Sequence, residues 1–361
     1  MQRTRFAFGS FFVALLLAVP AWTVAQDSSA DAILNRVAAY LDKSTIFVGH
    51  FDLKKVDPEK SVATLREIVD GAVKKSEMLQ PMKPMIAQGF DALASGVKEN
   101  EGIQTLQLFQ KSGCEMYVIV NSMTMTQSPA RILYAFDTSA STSNIDAIQK
   151  ELETQSPPGA LRIQRKDSLI VVDAFQPGVE SGNAEKLIDG FDKSRRPLVR
   201  PELLAAMERA KSAPFKLAFA MDDGLKGMFQ MFYSMTPPEI QQMLPAKTLL
   251  DGAEWISLGV DVNRWIIDLN IKGKNPAASK ALYDAIIKLK NDALTQAMAD
   301  FPGQEKAMNS QIMPFIPKVQ EDRLRLTINQ KFLDDNLPNI LQYALPAVIA
   351  AQRGGIQLPF E

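Results

Sequence analysis

Two alternating runs, Glu254-Trp255-Ile256-Ser257-Leu258-Gly259-Val260-Asp261-Val262 and Trp265-Ile266-Ile267-Asp268-Leu269-Asn270-Ile271-Lys272, flank the dipeptide Asn263-Arg264. Side chains on a strand alternate between faces, so Ile256, Leu258, Val260 and Val262 share one side of the first run. Trp265, Ile267, Leu269 and Ile271 share one side of the returning run. The opposite side carries Ser257, Asp261, Arg264, Asp268, Asn270 and Lys272. An antiparallel hairpin is predicted, with a core face and a wet face, as in a sheet covered by helices on one side.

Working outward, strand patterns recur at 215–221 and 323–329, and helical patterns at 225–235, 237–244 and 276–301. The preceding half repeats this order. Strands are expected at 46–52, 116–121, 131–137 and 169–175. A long helical region at 58–99 is broken near Pro81 and Pro84, and a helix is expected at 143–154. Its outward candidates Tyr117, Ile119, Leu133 and Ala135 are apolar, so this sheet is either covered on both faces or presents a surface to a partner.

Residues correspond as well as order. Phe47-Val48-Gly49-His50-Phe51-Asp52 resembles Leu217-Ala218-Phe219-Ala220-Met221-Asp222, and the stretch from Gly113 to Asn121 resembles that from Asp251 to Asp261. The expected fold is therefore α+β: two related βαββαβ units, ferredoxin-like with a split βαβ, each with an antiparallel sheet, plus a C-terminal helix. The expected boundaries are a leader at 1–25, a first unit at 26–192, a linker and helix at 193–212, a second unit at 213–332, and a C-terminal helix and tail at 333–361.

Met1-Gln2-Arg3-Thr4-Arg5 precedes an apolar run from Phe6 to Val19, then Pro20 and the small-residue exit Thr23-Val24-Ala25. This pattern predicts a secretory signal cut after Ala25, and hence a periplasmic or extracellular protein that meets the membrane only through its leader. The whole chain holds 40 Lys+Arg against 41 Asp+Glu. Losing Arg3 and Arg5 leaves 38 against 41, a net charge of −3. Such a balance provides no electrostatic footprint for nucleic acid. The basic cluster Lys193-Ser194-Arg195-Arg196 is flanked by Pro197 and reads as a solvated linker.

One histidine, His50, and one cysteine, Cys114, exclude an intrachain disulfide and any Cys₄, Cys₂His₂ or His-rich metal centre. Cys114 precedes a strand pattern and reads as a buried small hydrophobe. A nucleophile–histidine–acid triad would need His50, which alternation places on one face with Asp52. Paired-carboxylate chemistry is the other enzymatic route, with Asp52, Asp222 and Asp223 at related strand ends. At such positions aspartate also caps the following helix. Neither a phosphate-binding glycine loop nor a dinucleotide fingerprint occurs, and no cofactor or metal is expected.

Two apolar stretches are candidates for recognition. Met228, Phe229, Met231, Phe232 and Met235 load one short helix and would line an apolar-ligand pocket; Met78, Met82 and Met85 mark a second Met-rich place. A helix from Pro338, with Asn336 as its cap and Pro346 as a kink, carries Ile340, Leu341, Ala344, Leu345, Val348 and Ile349 at helical spacing. It would dock on its own chain or form a homodimer contact.

The leader, the opening Leu41-Asp42-Lys43-Ser44-Thr45-Ile46-Phe47-Val48 and the repeated strand-helix order resemble uncharacterised exported bacterial proteins of about this length. The resemblance implies a compartment and a fold, and no reaction. The functional expectation is an exported, non-catalytic binding or structural protein with an unknown protein or cell-envelope partner. A carboxylate hydrolase and an apolar-ligand carrier are the alternatives.

Overall fold

The computed structural model describes residues 30–37, 40–41, 45–99, 101–121, 130–155, 161–166, 168–174, 200–210, 212–221, 223, 225–227, 246–300, 309–310 and 312–353. The leader, Asp222, the Met228–Met235 stretch and the tail beyond Arg353 lie outside these residues. In chain order the elements are α1 (Ala30–Arg36), β1 (Thr45–Asp52), α2 (Pro58–Lys75), α3 (Lys83–Glu99), α4 (Glu101–Lys111), β2 (Glu115–Asn121) and β3 (Ala130–Ala135). Then come α5 (Thr142–Gln155), β4 (Leu161–Lys166), β5 (Leu169–Ala174), α6 (Pro201–Arg209), β6 (Phe215–Ala220), α7 (Ala246–Gly252), β7 (Ala253–Asp261) and β8 (Ile266–Gly273). The chain closes with α8 (Pro276–Asp300), β9 (Lys318–Gln320), β10 (Arg323–Ile328) and α9 (Gln330–Arg353).

The ten strands form one sheet in the order β4-β5-β3-β2-β1-β6-β7-β8-β10-β9, and neighbours pair antiparallel throughout. The expectation of a separate sheet for each half is thereby corrected: β1 and β6 pair directly, Phe47 with Phe219 and Phe51 with Phe215. Outward from that seam both halves run first, second, third, fifth, fourth strand. This is not the ferredoxin order, in which the first strand pairs with the third. A split βαβ is nonetheless present in each half. The third and fourth strands are parallel, joined by α5 or α8, with the fifth strand between them.

Two strands escaped the periodicity. β4 reads Leu-Arg-Ile-Gln-Arg-Lys, a charged edge strand, and β9 spans only three residues. Charge on an edge strand blocks pairing with another chain, and it also hides the strand from a hydrophobic pattern search.

The wet face expected of the second hairpin is covered. Ser257 is 0% exposed and Asn270 3%, and Trp255 on the same side of β7 joins a core with Leu203, Ala206 and Met207 of α6. The small residues on that face make room for a helix. A side chain at Gly259 would meet Ala213 at 3.1 Å and Ala210 at 3.4 Å. The first half is likewise covered on both sides, with Tyr117, Ile119 and Leu133 buried in one core with Ile33, Leu34 and Val37 of α1 and its exit. Trp265 belongs to the turn rather than the strand, at φ 51°, and its indole N–H donates to Ser61 O at 2.9 Å.

The C-terminal helix starts earlier than expected. Asn329 Oδ1 accepts from Phe332 N at 2.9 Å, a helix cap, whereas Asn336 lies inside the helix and donates to Phe332 O at 2.8 Å. Its first turns lie on α2, where Lys75 Nζ donates to Asp334 O at 3.0 Å. Among the described residues no helix is long and apolar enough to cross a membrane.

Candidate functional site

Strand register assembles the most polar interior place among the described residues. Across β1 and β2, His50 lies opposite Tyr117 and Asp52 opposite Glu115; across β1 and β6, His50 lies opposite Lys216. Paired residues project to the same side, so five ionisable side chains from three central strands meet on the face that α1 covers. All five are buried: His50 and Lys216 at 1% exposure, Tyr117 at 0%, Asp52 at 4% and Glu115 at 8%.

Glu115 is the hub. Its Oε2 accepts from Tyr117 Oη at 2.8 Å and pairs with Arg36 Nη1 of α1 at 2.7 Å. The same oxygen lies 3.3 Å from His50 Nε2, and Oε1 accepts from Lys54 Nζ at 3.1 Å. A carboxylate only accepts, so the shared proton sits on Nε2 and the Nδ1 of His50 is an acceptor. That Nδ1 and Asp52 Oδ1 have no hydrogen-bond partner among the described residues. Asp52 Oδ2 pairs with Lys55 Nζ at 3.1 Å, and Lys54 reaches on to Asp137 Oδ1 at 3.5 Å. The imidazole and the Tyr117 ring pack at 4.8 Å between centroids.

The chain enters β2 through Gly113, whose φ of 60° suits glycine and whose missing side chain leaves room for the Asp137 carboxylate. Burial and neighbours set the charges. Burial pushes the Glu115 carboxyl up, but hydrogen bonds from His50 and Tyr117 and the Arg36 charge outweigh it and hold it well below the usual carboxylate range. Burial pulls His50 down against the hydrogen bond to Glu115, so the imidazole is neutral at pH 7. Burial and the adjacent Glu115 charge raise the Tyr117 phenol. Burial, reinforced by Glu115, pushes the Cys114 thiol well up, and its side chain is fully buried. Arg36 and Lys54 are both raised: burial opposes their charge, and Glu115 overcomes it.

The residues expected from sequence distribute unevenly. His50 and Asp52 do share a face, but the acid that meets the imidazole is Glu115. Asp223 is exposed and paired with Lys226 at 2.9 Å. The amide of Asp52 bonds Pro214 O, just before β6, whereas Asp223 follows the end of β6. The six residues of that strand put about 20 Å of backbone between the two strand ends, at ~3.3 Å per residue. Among the described residues no hydroxyl or thiol reaches His50 Nδ1, and no group of three or more His, Cys, Asp or Glu is placed to hold a metal ion.

Glu115, Tyr117, Lys216, Arg36 and Lys54 escaped the sequence reading as site residues. Glu115 and Tyr117 are two apart on one strand pattern, and that spacing was the available signal. Lys216 stands between Phe215 and Leu217 in an apolar strand, and nothing local marks it as a site residue.

Neither a family model nor a curated relative matches the sequence. Among solved structures, crystal form I of TP0453 is similar, with a TM-score of 0.37 and 10% identity, over 83% of this chain and 96% of that chain.

Proposed function

We propose that this chain is an exported binding or structural protein, working outside the cytoplasm in the periplasm or extracellular space, and that its halves derive from one duplicated unit. The cluster around Glu115 carries the non-catalytic part of this reading. Both carboxylate oxygens of Glu115 are occupied by donors, the phenol and thiol are pushed away from ionisation, and among the described residues His50 Nδ1 has no nucleophile beside it. Such a network orders a structure, and its carboxylate, phenol and thiol are held by burial and hydrogen bonds rather than poised to exchange a proton with a substrate. The duplication reading is supported by the shared strand order and by the pairing of β1 with its counterpart β6. Export is supported by the leader pattern of residues 1–25.

The test is production of the full chain in a Gram-negative host, followed by fractionation and N-terminal sequencing. The expected product is periplasmic and begins at Gln26. A cytoplasmic product retaining Met1 would overturn export. A hydrolytic activity abolished by His50→Ala in a variant that still folds would overturn the non-catalytic reading.

A further inference from the structure

A cleft of about 690 Å³ opens between α6, the first residues of β7, the last of β8 and the turn from β9 to β10. That volume lies in the range of small-molecule sites. Strand register lays a row of side chains across it: Trp255 of β7 stands opposite Lys272 of β8, and Lys272 opposite Arg323 of β10. All three line the cleft, with Trp255 buried at 5% exposure.

Three features of this place cost the fold stability. Two cations directly opposite each other repel, and one counter-ion serves both. Asp322 pairs with Lys272, whereas the Nε of Arg323 is buried with no hydrogen-bond partner among the described residues. A buried donor left unmet is destabilising. Glu254 is the extra residue of a β-bulge, since Ala253 faces Gly273 and Trp255 faces Lys272. Strict alternation would send it to the face opposite Trp255; instead both line the cleft, the re-aiming that a bulge provides beside a binding site. Glu321 opens the turn between β9 and β10 at φ 57°, where glycine is the unstrained choice, and it too lines the cleft.

The cleft thus holds uncompensated charges of both signs. Arg209 and Arg323 are positive, Glu254 and Glu321 negative, and none of the four takes part in an ion pair among the described residues. They share one cleft without reaching each other. A simple anion would satisfy Arg323 and be repelled by the two glutamates; a simple cation would meet the reverse. A molecule that carries both charges a short distance apart satisfies both sets.

We propose that this cleft binds a small zwitterion, an α-amino acid or short peptide, with its carboxylate on Arg323 and its ammonium on Glu254 and Glu321. This goes beyond the proposed function and stands whether or not the chain is exported.

Saturation-transfer NMR of the purified full chain tests it, with the twenty standard amino acids, dialanine and trialanine as probes at about 1 mM each. At least one is expected to bind with a Kd of about 1 mM or tighter. Whether an amino acid or a peptide gives the strongest signal names the source, and either supports the proposal. Acetylating the amine of the best binder, or converting its carboxylate to an amide, should each weaken binding about tenfold or more. Arg323→Gln should do the same with an unchanged or higher thermal midpoint, because it removes the cation opposite Lys272. Glu321→Gly should raise the midpoint while weakening binding, a combination that a purely structural glutamate would not give. Binding by none of the probes overturns the proposal. So does a complex that Arg323→Gln and Glu254→Gln both leave intact, or one that takes the acetylated and amide forms equally well.

Discussion

The two halves of the sheet treat equivalent positions in opposite ways. In the first half, His50 faces Tyr117 across β1 and β2, with Glu115 two residues before the tyrosine. In the second, Ala220 faces Trp255 across β6 and β7, with Ala253 two residues before the tryptophan. The apolar trio is buried at 0%, 5% and 0% exposure, as deeply as the polar one. Strand order and register therefore require a filled interior there and do not require charge. The polar trio is confined to one half and is held in place by donors from outside the sheet, Arg36 and Lys54.

The largest expected effect tests that dependence. Glu115→Ala removes a partner from Arg36, Lys54 and the imidazole at once. Losing one partner of a fully buried pair costs about 3–5 kcal/mol. Arg36 and Lys54 reach water at 44% and 33% side-chain exposure, so screening should reduce the loss to about 2–3 kcal/mol, read as a lower urea midpoint. A midpoint unchanged from wild type would mean that the polar trio is as dispensable as its apolar counterpart suggests.

An intermediate effect is expected from pH. The His50 pKa is lowered in the fold, so between that value and the ordinary 6.5 the unfolded chain binds the extra proton. Stability then rises with pH across this window and falls as pH drops below about 6.5. Glu115 is also lowered, so its contribution is complete above the ordinary carboxylate range and is lost on further acidification. A urea midpoint flat above pH 7 and descending in two stages below it is the expected profile. His50→Ala, which copies Ala220, should remove the first stage and, by taking one donor from Glu115, shrink the second.

The smallest effect separates the two strand-end aspartates. Asp223→Asn, at a fully exposed side chain paired with Lys226, should leave the urea midpoint within error. A clear shift would place Asp223 in contact with something that the described residues do not include.

Much of the fold was legible because β1, β2, β3, β5, β6, β7, β8 and β10 all carry apolar alternation or apolar runs, which burial demands. The joining of the halves was not, because pairing Phe51 with Phe215 depends on long-range register rather than on any local pattern. The Glu115 cluster was half visible. His50 and Asp52 fell on the correct face by alternation, yet nothing local ties Arg36 or Lys54 to a glutamate far along the chain. The face bearing Ser257 and Asn270 read as wet because small and polar residues also mark the place where a helix lies close to a sheet.

The helix α1 raises a matter of timing. Ile33 and Leu34 belong to one core with Trp255, and Arg36 to one ionic cluster with Glu115. A chain that emerges N-terminus first makes α1 long before β6 and β7 exist. Contacts between partners so distant in sequence form late in folding. Until then the part of α1's apolar side that meets α6 and Trp255 stays uncovered, so the first described element to be synthesised is among the last to complete its packing. Through that interval the uncovered side of α1 is open to capture by a chaperone.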